Sequence, residues 1–332
     1  MKIGRAAGVT DTGRRRLRNE DAFICEPPLF AVADGMGGAR AGEVAAGLAA
    51  AALEEAGSGT RGAEGVAELI VEANKRIWER SRNDPRTAGM GTTVTAALVD
   101  PESGAVAIGH VGDSRAYLLR EGTLEQLTTD HSLVAELVES GVLTPEEAER
   151  HPQRSAITRA LGTEQTVEVD AFTLQAAPGD LFLVCSDGLS AMISDDAVSS
   201  AIEKADRDPE RAADALISAA NAKGGEDNIT VVLFEIVDDE APDPVTEREP
   251  LIEETGAPAI SELAEGDGQV EASEPVPVEP AEPEPEPEPE PEQELDLGPT
   301  RHGAGPGGRI AALALIVSVL AIGLLVLYLA VR

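Results

Sequence analysis

Short apolar runs, bounded by glycine, proline and aspartate, recur through the first 238 residues of the chain. They are rich in valine, isoleucine, threonine, phenylalanine and leucine, which favour the half-buried surface of a β-sheet. Gly122-Thr123 lies between two of these runs and predicts a hairpin turn. The pattern predicts strands at 3–9, 22–26, 29–33, 91–99, 105–111, 115–119, 167–174, 181–186 and 228–237.

Longer segments repeat apolar residues at every third or fourth position, which places them on one face of a helix. Consecutive strands together with two pairs of long helices predict an α+β fold, in which two sheets are covered on their outer faces by helices. Between 130 and 163 the sequence predicts three short helical segments, SLVAELVESG, TPEEAER and SAITRALG. The long helices are predicted at about 42–56, 63–82, 195–204 and 208–222.

The character of the chain changes twice after residue 238. Residues 239–308 contain 21 aspartates and glutamates against two arginines, and eight prolines lie between 275 and 291. Such a segment buries too little apolar surface to offset its chain entropy, so we expect a disordered linker. Residues 310–331 carry no charge and have the length that spans a bilayer, which predicts a transmembrane helix within 309–332.

The flanking charges predict how the chain lies in the cell. Arg301 and Arg309 precede the apolar segment and only Arg332 follows it, a weak bias that favours a cytoplasmic N-terminal side. The N-terminus lacks the apolar core of a secretory signal. We therefore expect a single-pass protein of the cell membrane, with residues 1–238 forming a cytoplasmic domain.

The net charge argues against one class of partner. The chain carries a formal charge of −35, and both the first domain and the linker are acidic. Nucleic-acid binding requires clustered lysine and arginine, and the one basic cluster, RRRLR at 14–18, is too small to provide it. Cys25 and Cys185 lie in separate predicted strands without the spacing of a zinc site or disulfide framework, so we expect reduced thiols.

Acidic residues recur where predicted strands begin or end. A single Asp-Gly usually makes a turn. Four acidic motifs at strand ends, spread over two hundred residues, instead predict carboxylates that converge on one cleft and repel one another unless cations bind. Ligand sets made only of oxygen favour Mg²⁺ or Mn²⁺ over zinc. The motifs are NED at 19–21, ADG at 33–35, SDG at 186–188 and EDN at 226–228.

Six motifs together carry a resemblance to a known family. They are RxxNED (16–21), ADGMGG (33–38), GTT (91–93), GDSR (112–115), CSDGL (185–189) and GxDNIT (225–230). In this order and spacing they resemble the metal-dependent protein phosphatases of type 2C, most of all the bacterial branch that opposes Ser/Thr protein kinases. The resemblance covers residues 1–238. It implies a four-layer α-β-β-α sandwich and hydrolysis of phosphoserine and phosphothreonine in proteins, with a cognate Ser/Thr kinase among the partners.

The resemblance also implies a ligand set for two Mn²⁺ or Mg²⁺ ions. Asp34 would bridge the two ions. Asp187 and Asp227 would complete the shell of the first ion, while Glu20 and the backbone carbonyl of Gly35 would serve the second. Two divalent cations held close together lower the pKa of a water that they bind, which makes it a nucleophile at neutral pH. Neither a serine nor a cysteine nucleophile is therefore expected.

Further roles follow from the same resemblance. Asp21 would accept hydrogen bonds from metal-bound water, and Arg16 would hold the substrate phosphate, with the other three arginines of 14–18 as competing candidates. Asp113, near Ser155, would hold a third ion. Met36 stands where some eukaryotic members have a histidine proposed as general acid. Residues 130–163 resemble the family's flap beside the cleft, and we name them the flap; as a polar segment of mobile type it is a candidate determinant of substrate choice.

Two other functions are compatible with the sequence. The domain could be a catalytically silent, membrane-tethered module that binds phosphoproteins, although all four metal carboxylates are present. Alternatively, the chain could be a scaffold that acts through its acidic linker. His110, His131, His151 and His302 show no nucleophile–base pairing, so we expect them to be structural or solvated.

Overall fold

The computed structural model describes residues 1–36, 41–56, 59–148 and 150–239. Its strands form two five-stranded antiparallel sheets, with the orders β1-β12-β11-β8-β9 and β10-β7-β6-β3-β2, and a two-stranded pair, β4-β5. The strands are β1 (Lys2–Asp11), β2 (Ala22–Glu26), β3 (Leu29–Ala33), β4 (Gly35–Met36), β5 (Gly91–Thr92), β6 (Val94–Asp100), β7 (Ala105–Val111), β8 (Arg115–Arg120), β9 (Thr123–Gln126), β10 (Asp170–Gln175), β11 (Leu181–Cys185) and β12 (Ile229–Val237).

Helices cover the outer face of each sheet, as their apolar stripes require. The helices are α1 (Gly42–Ala56), α2 (Gly62–Asn83), α3 (Leu133–Glu139), α4 (Pro145–Ala148), α5 (Asp187–Ser190), α6 (Asp195–Lys204) and α7 (Pro209–Ala222), with a 3₁₀ turn at Pro85–Thr87. Helices α1 and α2 pack on the sheet that contains β3, and α6 and α7 pack on the sheet that contains β12. The α+β fold and its four layers, α-β-β-α, are therefore confirmed.

The two sheets pack against each other through a third apolar cluster. At its centre the ring of Phe234 stacks on Phe30, with centroids 4.0 Å apart, and on Phe182, with centroids 4.9 Å apart. Phe234 and Phe182 come from β12 and β11 of one sheet and Phe30 comes from β3 of the other, so the stacked rings pack the two sheets face to face. The strand ends on either side are thereby fixed relative to one another.

Several boundaries differ from the predictions. Strand β8 pairs Arg120 with Thr123, so the hairpin turn is Glu121-Gly122, both with positive φ, one residue earlier than predicted. The predicted strand 91–99 is broken at Thr93, because Gly91–Thr92 pairs with β4 rather than with the large sheet. The predicted strand 167–174 begins three residues later, at Asp170.

The predicted helical segment SAITRALG is wrong. In the structure Ile157 forms a bridge with Ser132, and Leu161 forms one with Thr92. At these two positions the backbone is therefore paired with the residue that precedes α3 and with strand β5 instead of with the next helical turn. Tertiary pairing overrides the local apolar spacing here.

The predicted transmembrane helix and residues 240–308 of the predicted linker lie outside the described residues. Among the residues that are described, no helix is long and apolar enough to cross a membrane. Both cysteines are free, with Cys185 buried in β11 and Cys25 partly buried in β2.

Candidate active site

The acidic motifs meet at one end of the sandwich. The first residue of β2 pairs with the last residue of β3, so Asp21 and Asp34 leave the same end of their sheet. Strands β11 and β12 are likewise antiparallel neighbours, and Asp187 and Asp227 flank the end where β11 finishes and β12 starts. The predicted convergence of strand ends is therefore present.

Asn228 ties the two halves of this site together. Its side-chain nitrogen donates to the backbone oxygens of Thr12 (3.0 Å) and Arg18 (2.9 Å), and its oxygen accepts from the backbone nitrogen of Glu20 (2.8 Å). The Asn228 side chain thus fixes the loop that carries Arg16 and Glu20 to the start of β12. Sequence reasoning placed Asn228 in the EDN motif but gave it no role.

Asp21 is held at the end of a chain of hydrogen-bonded threonine hydroxyls. Thr230 Oγ1 lies 2.6 Å from Asp21 Oδ2, to which it donates, and 2.7 Å from Thr10 Oγ1. The backbone of Thr230 in turn donates to Ser186 Oγ at 3.0 Å. These contacts orient Asp21 from the facing sheet, and sequence reasoning did not single them out.

The GTT motif positions Asp34. Thr92 Oγ1 donates to the backbone oxygen of Asp34 (2.8 Å), and the backbone nitrogen of Asp34 donates to Thr93 Oγ1 (3.2 Å). Thr93 Oγ1 is also 2.7 Å from the hydroxyl of Ser114 in the GDSR motif. The motif therefore holds the backbone of the predicted bridging aspartate and links it to the Asp113 turn.

Gly42, which opens α1, brings two predicted ligands side by side. A Cβ at this position would overlap Glu20 Oε2 and would lie 2.8 Å from the Gly35 carbonyl oxygen. Only glycine leaves room for both oxygens, which are the pair predicted to serve the second ion. Sequence reasoning missed this position because the clash depends on segments distant in the chain.

One arginine of the basic cluster reaches the acidic site. Arg16 Nη2 donates to Asp227 Oδ2 at 2.6 Å. Two of its neighbours form longer ion pairs with carboxylates outside the predicted ligand set. Arg15 makes no hydrogen bond or ion pair with any residue that the structure describes. The geometry therefore favours Arg16 over its competitors as the arginine beside the carboxylates predicted to bind metal.

Burial and mutual repulsion raise the pKa values of the carboxyl groups in this cluster. Burial raises the pKa of Asp34 well above its usual value, and the charges of Asp21, Asp187, Asp113 and Asp227 add to the rise. Burial likewise raises the pKa of Asp21 to about 6 and that of Asp113 to about 7. The pKa of Asp187 is also raised, first by burial and then by the charge of Asp227. The groups are thus close enough to repel one another.

The residues fit a divalent cation by the chemistry of their free oxygens. Four buried side-chain atoms in the described residues have no hydrogen-bond partner, and three of them are the Oδ1 atoms of Asp21, Asp113 and Asp187. Among the described residues, no group of three His, Cys, Asp or Glu side chains is already placed closely enough to coordinate a metal ion. Clustered carboxylates with unpaired oxygens suit a hard cation, which would convert their repulsion into attraction.

The proposed third site is only partly assembled in the structure. Asp113 is buried, with 7% of its surface exposed, and its charge acts on Asp34. Ser155 is exposed and makes no hydrogen bond with any described residue through its side chain. Its place beside Asp113 therefore stays a prediction.

Clustered carboxylates with unpaired oxygens, beside a guanidinium of the kind that suits phosphate, are typical of a metal-dependent phosphate-binding centre. Comparison with known proteins agrees, because the family profile "Protein phosphatase 2C" matches residues 13–221. The chain belongs to the protein phosphatase 2C family.

Individual relatives support this membership. The serine/threonine phosphatase Stp of Listeria welshimeri is 43% identical over 238 residues, covering 68% of this chain and 93% of the relative. The crystal structure of the Mycobacterium tuberculosis serine/threonine phosphatase PstP/Ppp superposes with a TM-score of 0.67 at 40% identity, covering 71% of this chain and all of that one. A structure of the PstP catalytic domain with two manganese ions has a TM-score of 0.65 at 38% identity, covering 71% of this chain and 99% of that one.

Proposed function

We propose that this protein hydrolyses phosphoserine and phosphothreonine in other proteins and uses two divalent cations, Mn²⁺ or Mg²⁺, to do so. The observation that carries the proposal is the cluster of Asp34, Asp187 and Asp227. Burial and then the charges of Asp187 and Asp227 raise the pKa of Asp34, and burial and then the charge of Asp227 raise the pKa of Asp187. The two-manganese structure of the related PstP domain supports the choice of ion. The catalytically silent alternative has no observation in its favour.

The chain's own residues have separable tasks. Asp34, Asp187 and Asp227 would hold the first cation, and Glu20 with the Gly35 carbonyl would complete the second site. When bound, the cations supply Lewis-acid chemistry that makes water a nucleophile at neutral pH. Every other contribution comes from side chains that bind, orient or move protons.

Arg16 and Asp21 make two of these contributions. Asp21, fixed by Thr230, has one oxygen free to accept a proton or a hydrogen bond from the attacking water. The Arg16 guanidinium, now paired with Asp227, can exchange that carboxylate for the equatorial oxygens of the phosphoryl group and offset charge there. Met36 offers no acidic proton for the leaving alkoxide, so another group must supply it.

Phosphate release from a phosphothreonine peptide tests the activity. The full chain with Mn²⁺ should release phosphate, and a chelator should stop the release. Asp187→Asn should abolish turnover while its circular dichroism spectrum stays that of the wild type. Release that is indifferent to chelator, or a fully active Asp187→Asn variant, would contradict the metal assignment.

We further propose that residues 310–331 anchor the protein in the cell membrane with the phosphatase domain in the cytoplasm, where a Ser/Thr protein kinase would be its opponent. The uncharged 22-residue run and the flanking arginines support this. Full-length protein expressed in cells should sediment with membranes and resist extraction by carbonate, whereas a chain ending at residue 308 should not. Equal sedimentation of the two would refute the anchor.

A further inference from the structure

His131, near the start of the flap, forms hydrogen bonds with both backbone polar groups of Gly112, the residue that precedes Asp113. The backbone nitrogen of His131 donates to the Gly112 oxygen at 2.7 Å, and the Gly112 nitrogen donates to His131 Nδ1 at 3.0 Å. His131 is buried, with 7% of its surface exposed. Both polar groups of Gly112 are therefore occupied by one residue.

The same histidine also meets the far end of the flap. Its Nε2 lies 3.2 Å from Asp170 Oδ2, and Arg159 Nη1 donates to Asp170 Oδ1 at 2.6 Å. The backbone nitrogen of Thr158 donates to the His131 oxygen at 2.9 Å. Entry and exit of the flap thus converge on His131, which links them to the Gly112-Asp113 turn.

The hydrogen bond from Gly112 fixes the role of one ring nitrogen. The Gly112 backbone nitrogen can only donate, so His131 Nδ1 must accept. The other nitrogen, Nε2, contacts both Asp170 Oδ2, at 3.2 Å, and Arg159 Nη1, at 2.9 Å. Burial lowers the pKa of His131, which favours the neutral ring that this arrangement needs. The ring of His110, whose centroid is 4.7 Å away, covers one face of His131.

The two neighbours of Asp113 are held by different residues. Ser114, which follows Asp113, lies 2.7 Å through its hydroxyl from Thr93 Oγ1 and accepts from Thr95 Oγ1 at 2.8 Å through its backbone oxygen. Gly112 has a φ of 116°, and a Cβ there would lie 2.5 Å from Thr93, so no side chain at this position can anchor the turn. Asp113 itself has one oxygen with no partner in the described residues. On the Gly112 side of Asp113, the backbone is therefore held by the two hydrogen bonds to His131.

We propose that His131 is a positioning residue for Asp113: its Nδ1 holds the Gly112 backbone nitrogen, fixes the Asp113 carboxylate in the acidic cluster, and couples that carboxylate to the flap through Asp170 and Arg159. The proposal deepens the proposed function and rests on the third-ion role that the family resemblance implies for Asp113. It gives His131 a task that is neither metal binding nor proton transfer to substrate.

Two isosteric substitutions separate the two nitrogens of the ring. In His131→Asn the amide oxygen takes the place of Nδ1 and can still accept from Gly112, but the link to Asp170 is lost. In His131→Gln the terminal amide takes the place of Nε2 and can still reach Asp170, but no acceptor faces Gly112. Hydrogen exchange at the Gly112 amide of the metal-free protein, and the Mn²⁺ concentration that half-saturates phosphopeptide hydrolysis, are measured for both.

The proposal predicts that His131→Gln is impaired and that His131→Asn stays close to wild type. In His131→Gln, hydrogen exchange at the Gly112 amide should be roughly tenfold faster than in the wild type. Half-saturation of phosphopeptide hydrolysis should need roughly 10–100-fold more Mn²⁺, the usual effect of removing a residue that positions a metal ligand. His131→Asn should stay within about threefold of wild type on both measures. Equal impairment of the two variants would reduce His131 to a packing residue and overturn the proposal, as would two variants that behave as wild type.

Further variants keep the tests distinguishable. Asp170→Asn retains the Nδ1 acceptor, so it should leave Gly112 exchange unchanged while proteolysis within the flap becomes faster; this holds even if His131→Gln does not fold. Asp113→Asn should change the Mn²⁺ requirement, and an unchanged requirement in an active protein overturns the proposal. A wild type that releases no phosphate with Mn²⁺ would instead refute the proposed function, and Gly112 exchange would still decide whether His131 holds the turn.

Discussion

Replacing Asn228 by alanine should cost more stability than any other single asparagine-to-alanine change in the described part of the site. The Asn228 side chain makes three hydrogen bonds, to Thr12, Arg18 and Glu20, and only 4% of the residue is exposed. All three partners are backbone groups of the loop that enters the acidic cluster. Alanine leaves them without a protein partner and releases the loop from β12.

The size of the effect follows from these contacts. Each lost hydrogen bond contributes about 0.5–1.5 kcal/mol net, so three of them predict a loss of about 1.5–4.5 kcal/mol in the free energy of unfolding. For a domain of this size that corresponds to a fall of roughly 5–15 °C in Tm. Because Glu20 and Arg16 lie on the released loop, kcat/KM for a phosphopeptide should fall as well.

Urea denaturation followed by circular dichroism measures the loss, with phosphate release assayed on the same samples. Asn83→Ala is the matched control, since Asn83 is exposed at the end of α2, and it should change stability by less than about 0.5 kcal/mol. If Asn228→Ala unfolds at the wild-type urea concentration and keeps wild-type activity, the loop is not held as the structure indicates.

Elements with a strong local pattern could be predicted from the sequence. The bounds of β2, β3 and β7, and of helices α1 and α6, agree with the predictions, because apolar runs there end at glycine, proline or aspartate. The set of carboxylates at strand ends was predicted for the same reason. The resemblance to type 2C phosphatases added the roles of these residues, which spacing alone does not provide.

Features that depend on contacts between distant segments could not be predicted. Gly42 looks like an ordinary helix start until Glu20 and Gly35 are brought beside it. His131 was expected to be merely structural or solvated, since its partners Gly112 and Asp170 lie 19 and 39 residues away. Local periodicity contains no information on such distances.

Three further predictions concern the site. Arg16→Ala should lower kcat/KM for a phosphopeptide by roughly 10–100-fold, the value of a charge-assisted hydrogen bond, whereas Arg15→Ala should lower it less than about threefold; equal losses would contradict the assignment of Arg16. In the chelated protein, the raised pKa values of Asp21 (about 6) and Asp113 (about 7) mean that the native state binds more protons than the unfolded state. The urea midpoint should therefore fall as pH rises from about 4 to about 7, and a rising midpoint would contradict the like-charge cluster. Gly42→Ala should weaken Mn²⁺ binding in calorimetry by roughly tenfold, while Gly47→Ala, in open space on the same helix, should not, and equal affinities would mean that Glu20 and Gly35 do not share an ion.

The central claim is that remote carboxylates meet around a pair of cations. Anomalous diffraction at the manganese edge, from crystals of the protein grown with Mn²⁺, tests it most directly. The anomalous peaks should include one bounded by Asp34, Asp187 and Asp227 and another bounded by Asp34, Glu20 and the Gly35 carbonyl. Manganese bound elsewhere, with those oxygens facing only solvent or one another, would contradict the claim.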